Sequence, residues 1–180
     1  MPQLPFDCID EIFEYLKDDK TTLRSTLLVN RIWSENSVRF LWRNVSDYNI
    51  FHIRTLVACL PNKSKEILYN NGIITSSSTS KHSSMFNYAS FCKVLSVNQV
   101  NGKVYQLLDE NRQSTTSQNL DIVIREIFKL LMNQISSLKE IEYITPLNIP
   151  NFTTFLGAKS CIWWFRYSFG IFLSVISNMS

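Results

Sequence analysis

The stretch LPFDCIDEIFEYLKDDK, Leu4 to Lys20, carries an amphipathic pattern at the start of the chain. Its large apolar residues recur at spacings i, i+3, i+4 and i+7, which places them on one helical face. They are Ile9, Ile12, Phe13 and Leu16. Pro5 suits the first helical position, because the N–H that it lacks would have no helical partner there. The pattern therefore predicts a helix with one apolar side.

A second apolar stretch, LVNRIWSENSVRFLW, runs from Leu28 to Trp42. Before it, Thr21 or Thr22 is placed to cap a second helix that contains Leu23. Asn30 interrupts the apolar run, so a third short helix is expected to begin near it. Three short helices are thus predicted before Val45.

The order of these pieces resembles the F-box family over about forty residues, from Leu4 to Val45. Leu-Pro is followed by the helical stripe, then by Leu23, then by LVNRIW (Leu28 to Trp33) and LWRNV (Leu41 to Val45). The segment LKDDKTTL is longer than the usual turn between the first two helices. Asn30 also stands where many members of the family have cysteine.

The resemblance implies a three-helix module that docks on a Skp-type adaptor and, through it, on a cullin scaffold in SCF ubiquitin ligases. The residues that it assigns to partner binding are Leu4, Pro5, Ile9, Ile12, Phe13, Leu16, Leu28, Trp33, Leu41 and Trp42. Trp33, Leu41 and Trp42 are also open to a role in the core, since tryptophan is common in both settings. A helical stripe is more often an internal face than an interface.

The remaining chain is divided by composition. Residues 1–46 form the F-box-like segment, 47–74 a helical extension, 75–86 a Ser/Thr-rich linker and 87–137 a further helical region. Residues 138–160 begin with LKEIEYI, which has the spacing of one leucine-rich repeat. The target-binding region of many F-box proteins is an array of such repeats, so the resemblance implies a member whose array stops early. Residues 161–180 form an aromatic and apolar tail, which is open to three interpretations: a membrane anchor, a buried helix or a gene-model artefact.

The composition gives no sign of catalysis. Only two histidines are present, neither at metal-ligand spacing from a cysteine, and the four glycines are too dispersed for a phosphate-binding loop. We therefore expect no enzyme activity, no metal and no cofactor. The 18 Lys and Arg residues are scattered, which argues against a nucleic-acid surface.

Acidic residues in the first helix interrupt any signal-peptide pattern, so a cytoplasmic or nuclear location is expected. The four cysteines have no CxxC pair and are expected to be free thiols. Insertion of the tail into a membrane is disfavoured, because the apolar run is shorter than a typical span and contains Arg166.

The sequence thus predicts a mainly all-α fold, with one possible repeat-like strand near 138–144. The predicted function is that of a non-catalytic adaptor subunit of a ubiquitin ligase, whose target protein the sequence does not name. The alternative is a small helical interaction protein, tail-anchored or not, whose N-terminal stripe is its own core.

Overall fold

A computed structural model describes residues 5–74, 85–110, 116–143 and 165–167. Within these ranges the chain forms seven α-helices and a small parallel sheet. The helices are α1 (Phe6–Tyr15), α2 (Lys20–Thr26), α3 (Arg31–Leu41), α4 (Ile50–Ala58), α5 (Asn62–Asn70), α6 (Val97–Glu110) and α7 (Ser117–Gln134). The strands are β1 (Val94–Ser96), β2 (Glu140–Tyr143) and β3 (Phe165–Tyr167), and two 3-10 turns cover Val45–Asp47 and Tyr88–Phe91. The prediction of a mainly helical fold is confirmed.

Helices α2 and α3 each begin at a polar side chain that caps the first turn. Asp19 caps α2, its carboxylate accepting from the backbone N–H groups of Thr21 and Thr22. Asn30 caps α3, its Oδ1 accepting from the N–H of Trp33 at 3.0 Å. Each cap satisfies N–H groups that the first helical turn leaves unpaired. The break predicted near Asn30 is confirmed, whereas the cap of α2 is Asp19 rather than a threonine.

Helix α5 ends in a turn that requires glycine. Gly72 has φ 68°, in the left-handed region that other residues rarely adopt. Its N–H donates to the carbonyl of Tyr69, and the N–H of Ile73 donates to the carbonyl of Leu68, both at 2.9 Å. This pair of hydrogen bonds is the Schellman motif, which satisfies two carbonyl groups that the end of the helix would otherwise leave unpaired.

The strands run parallel in the order β1-β2-β3, with Leu95 opposite Ile141 and Ile141 opposite Phe165. A parallel bridge between Asn44 and Val94 extends the β1 side. In this register Val45 continues the row of Leu95 and Ile141, and none of these three side chains has exposed surface. The sheet therefore presents one apolar row to the core.

One backbone arrangement occurs twice across this sheet. The carbonyl of Arg43 accepts from the N–H groups of Lys93 and Val94, at 2.8 and 3.1 Å. The carbonyl of Lys93 accepts from those of Lys139 and Glu140 at the same two distances. Successive segments of about fifty residues thus stack in parallel with the same local geometry, as repeated layers do.

The strand predicted near 138–144 is confirmed at Glu140–Tyr143, but it is not single, since β1 and β3 flank it. The interpretation of 87–137 as helical is wrong at Val94–Ser96, which form β1. The reason is that the backbones of Arg43 and Lys139 supply hydrogen-bond partners from distant parts of the chain. A run of three residues is too short for alternation to indicate a strand.

A single cluster of buried side chains runs from α1 to β2 and includes Phe13, Ile53, Leu108, Ile127 and Ile141. The three N-terminal helices therefore share their core with the rest of the chain. A buried polar contact joins α5 to α7, where Ser64 Oγ donates to Glu126 at 2.6 Å. Lys129 pairs with the same carboxylate at 2.5 Å. This ion pair compensates the cost of burying the negative charge of Glu126.

Several predicted segments lie outside the described residues. They include 75–84 of the linker, 144–160 of the repeat-like start and the tail beyond Phe165–Tyr167. In the described part of the chain, no helix combines the length and the apolar character that crossing a bilayer needs.

Candidate functional site

The predicted docking stripe on α1 is divided by the fold. Phe13 has no exposed surface and Ile9 has 3%. The Phe13 ring lies 5.4 Å from the ring of Trp33 and 5.8 Å from that of Phe40, measured between centroids. A side chain without exposed surface cannot contact another protein in this conformation. The assignment of Phe13 and Ile9 to partner binding is therefore corrected, and both belong to the chain's own core.

The other members of the stripe keep an exposed edge. Ile12 and Leu16 are half-buried, and Leu16 packs at the margin of the core cluster. Trp33 is also half-buried, with one side against Phe13. Pro5 is exposed and precedes α1 as its N-cap residue. Leu4 lies outside the described residues, so the assignment of Leu4 to partner binding stays a prediction.

Leu41 and Trp42 are buried at the end of α3, with exposed fractions of 9% and 7%. The Trp42 indole lies among the rings of Tyr48, His52 and Tyr88, with centroids 4.6–5.1 Å away. The Tyr48 hydroxyl donates to the carbonyl of Trp42 at 3.0 Å. Both residues are therefore corrected from partner binding to the core, one of the roles that the sequence left open for them.

The turn between α2 and α3 has the opposite character. Leu28 is 89% exposed, and Val29, which the sequence analysis did not single out, is 59% exposed. Leu27 packs against the core beside them. The backbone N–H groups of Leu28 and Val29 bond to Ser25 and Thr26, so the turn is held by α2. Two adjacent aliphatic side chains therefore project into solvent from an ordered turn.

The sequence carried a signal for Val29 that could have been used. Leu27, Leu28 and Val29 are consecutive, and a single helical face cannot turn three consecutive side chains inward. Asn30 then begins the next helix, so the residues before it must form a turn. Tyr15, 89% exposed at the end of α1, is another exposed large apolar side chain of this three-helix unit that the predicted set lacked.

Ion pairs tie the ends of these helices together. Arg43 pairs with Glu14 at 2.9 Å, joining the residues after α3 to α1. Lys20, at the start of α2, pairs with Asp47 at 2.9 Å. All four side chains are partly exposed, so each pair contributes little to stability.

The charges of the two exposed regions differ in sign. Helix α1 exposes Asp7, Asp10 and Glu11. The α2–α3 turn is instead flanked by Arg24 and Arg31, both exposed. From Lys20 to Ser34 every charged side chain is basic.

His52 and Cys92 are buried to a large extent, and burial favours their uncharged forms. Burial, together with the positive charge of Arg24, lowers the pKa of His52 to about 4, so its imidazole is neutral at physiological pH. Burial raises the pKa of the Cys92 thiol to about 12, which keeps it protonated and unreactive. In the ranges that the structure describes, no three His, Cys, Asp or Glu side chains are grouped to hold a metal ion.

A cleft of about 160 Å³ lies between α4, α5, α6 and α7. Its lining is aliphatic except for Arg54, which pairs with Glu110 at 3.1 Å. The volume is smaller than that of most small-molecule sites. It marks a packing gap between helices.

Comparison with protein-family models, with curated proteins and with solved structures finds no match for this chain.

Proposed function

We propose that the chain is a non-catalytic adaptor subunit of a ubiquitin ligase, which docks through α1, α2 and α3 on a Skp-type adaptor. The observation that carries the proposal is the exposed Leu28–Val29 turn, within three short helices in the order that the F-box resemblance implies. The half-buried residues Ile12, Leu16 and Trp33 supply further apolar surface on the same unit.

Exposed aliphatic side chains on an ordered turn favour burial by a partner. Covering a large aliphatic side chain stabilises a complex by about 1.5–3 kcal/mol. The contact of Phe13 with Trp33 joins α1 to the first turn of α3, which directly follows the exposed turn. A preorganised surface loses less entropy on binding than a mobile one.

The mechanism in this proposal is geometric. The three-helix unit is held by the adaptor and through it by a cullin scaffold, and a second surface of the chain holds a target protein. Holding the target beside the ubiquitin-transfer machinery raises the effective concentration of its lysines. The leucine-rich-repeat character of the parallel layers is part of this proposal, and the target protein is not identified.

The test is binding of the full chain to a purified Skp-type adaptor, followed by addition of a cullin scaffold. A 1:1 complex and then a ternary complex are expected. The variant Pro5→Ala/Ile12→Asp should lose binding while circular dichroism and the melting temperature remain those of a folded chain. Phe51→Asp, on an exposed side chain of α4, is the matched control and should bind normally. Absence of any complex with the unmodified chain would refute the proposal.

The second candidate is a helical interaction protein with no role in ubiquitination. The burial of Phe13 and Ile9 favours it, because a stripe covered by its own chain needs no partner. The same experiment distinguishes the two candidates, since only the first requires a complex with the adaptor.

A further inference from the structure

The parallel sheet brings together three basic residues that are far apart in the sequence. The carbonyl of Arg43 accepts from the N–H of Lys93, and the carbonyl of Lys93 accepts from the N–H of Lys139. Neighbouring strands lie about 4.8 Å apart, so the three backbone positions fall within about 10 Å of each other. Glu140 follows Lys139 but belongs to the next row of the sheet, opposite Val94. We call Arg43, Lys93 and Lys139 the cationic row.

The side chains of the cationic row reach solvent and carry a net positive charge. Lys139 is exposed, and Lys93 is half-buried. Lys93 Nζ donates to the hydroxyl of Ser137, and because a hydroxyl is neutral this bond does not compensate the ammonium charge. Arg43 pairs with Glu14 at 2.9 Å, and its side chain is 36% exposed. The row therefore presents a basic surface beside α1.

A surface of the opposite sign begins at the same ion pair. Helix α1 exposes Asp7, Asp10 and Glu11, which we call the acidic face. Asp10 and Asp7 lie one and two helical turns before Glu14, on the same side of the helix. Because Glu14 contacts Arg43, the acidic face and the cationic row meet at this ion pair.

We propose that the acidic face and the cationic row together form the interface of a symmetric dimer with a second copy of the chain. A two-fold axis sets the same patch of both subunits against itself, so a patch with both signs can place each sign opposite the other. The acidic face of each copy then covers the cationic row of its partner. This inference goes beyond the proposed function and does not depend on an adaptor.

A second copy suits this patch better than a foreign acidic protein does. The acidic face borders the cationic row, so it would repel an acidic segment that approached Lys93 and Lys139. The phosphates of a nucleic acid would meet the same repulsion. A second copy avoids it, because it brings a basic surface to the acidic face at the same time.

The charged character of the patch predicts a weak dimer that depends on ionic strength. Exposed ion pairs each contribute little to binding and are screened by salt. The proposed adaptor-binding side of α1 stays accessible in the dimer, because Ile12 lies two residues after Asp10 and so on the opposite side of the helix. Dimer formation and adaptor binding are thus compatible.

The experiment measures the molar mass of the full chain by sedimentation equilibrium over a range of chain concentrations. At low salt the unmodified chain should become a dimer as its concentration rises. Raising the ionic strength from about 0.01 M to about 1 M shortens the screening length from about 30 Å to about 3 Å and should dissociate the dimer. A chain that is monomeric under all these conditions would overturn the inference.

Two variants each reverse the charge of one surface. Lys93→Glu/Lys139→Glu reverses the cationic row, and Asp10→Lys/Glu11→Lys reverses the acidic face. Each variant should raise the dissociation constant of the dimer about tenfold or more, because like charges then face each other. Circular dichroism and the melting temperature should show that both variants are folded.

The matched control is Lys63→Glu/Arg125→Glu, which makes the same change of net charge at exposed residues of α5 and α7. It should dimerise within about threefold of the unmodified chain. An equal loss in the control and in Lys93→Glu/Lys139→Glu would mean that net charge alone governs association, and it would overturn the assigned interface.

Mixing the two charge-reversed variants tests the pairing of the surfaces. In an equal mixture each contact again joins opposite signs, so a heterodimer should form although neither variant dimerises alone. Absence of the heterodimer, or assemblies of the unmodified chain larger than a dimer, would overturn the two-fold arrangement. No adaptor is present in these measurements, so their failure leaves the proposed function standing.

Discussion

The apolar stripe of α1 and the apolar turn between α2 and α3 have opposite environments. Phe13 and Ile9 are buried, Phe13 against Trp33 and Phe40 of α3, whereas Leu28 and Val29 face solvent. Both segments read as apolar in the sequence, and both were assigned to partner binding in whole or in part. The difference shows that periodicity indicates which side chains share a face, but not which molecule covers that face.

The largest expected effect is at the sealed side. Phe13→Ala should lower the free energy of unfolding by about 3–5 kcal/mol, because it leaves a cavity among Trp33 and Phe40. Chemical denaturation measures this change. Tyr15→Ala, on the same helix but 89% exposed, is the control and should stay within about 0.5 kcal/mol of the unmodified chain. Equal losses would contradict the division of α1 into a sealed and an open side.

The buried core also contains the aromatic cluster around Trp42, which includes His52. We expect low pH to reduce the free energy of unfolding through this histidine. The folded-state pKa of His52 is lowered to about 4 from an ordinary value of 6.5. The unfolded chain therefore binds a proton first as pH falls, so stability is full above pH 6.5 and is lost progressively towards pH 4. The edge of His52 is partly exposed, so we expect a loss on the order of 1–2 kcal/mol.

This pH effect has a structural cause that a variant can isolate. Burial is the main cause, because it disfavours a charge on the His52 imidazole and so lowers the pKa of that group. Arg24 and Lys20 lie close enough to oppose the new charge, while Asp47 favours it. In denaturation series from pH 7 to pH 4, His52→Gln should lose less stability than the unmodified chain. Parallel curves for the two proteins would exclude His52 as the source.

A smaller effect is expected where the sealed and open regions meet. Asn30→Ala removes the side-chain cap of α3 and should cost about 1 kcal/mol. Thermal unfolding measures it. Asn62→Ala, at the start of α5 where no side chain caps the helix, is the matched control and should be close to neutral.

The smallest effect is expected at the open region. Leu28→Ala should change stability by less than about 0.5 kcal/mol, because the side chain is 89% exposed. Leu23→Ala, five residues earlier and fully buried, should cost about 2–5 kcal/mol. A large loss at Leu28 in chemical denaturation would mean that the turn is covered within its own chain.

The helices of the N-terminal unit could be predicted because their signals are local. Pro5 before α1 and Asn30 before α3 are boundaries that a few neighbouring residues specify. The strand β2 was also predicted, from the spacing of Leu138, Ile141 and Tyr143. Strand β1 was not, because its partners Arg43 and Lys139 are about fifty residues away on either side.

The candidate docking surface was predicted only in part. Leu28 was identified and is exposed, whereas Phe13, Ile9, Leu41 and Trp42 were identified and are buried. Val29 and Tyr15 were missed. All of these are large apolar side chains, so composition could not separate those that the fold covers from those that it leaves open.

By itself, the sequence determined that three short helices form before Val45, that α3 begins near Asn30 and that the apolar residues of α1 share a face. These properties depend on hydrogen bonds and spacings within a few residues. Only the tertiary structure decided that Phe13 lies inside and Leu28 outside, that Trp42 packs against Tyr88, and that β1 pairs with β2. Those outcomes depend on which distant segments meet, because burial is a property of the whole packed chain and not of any one helix.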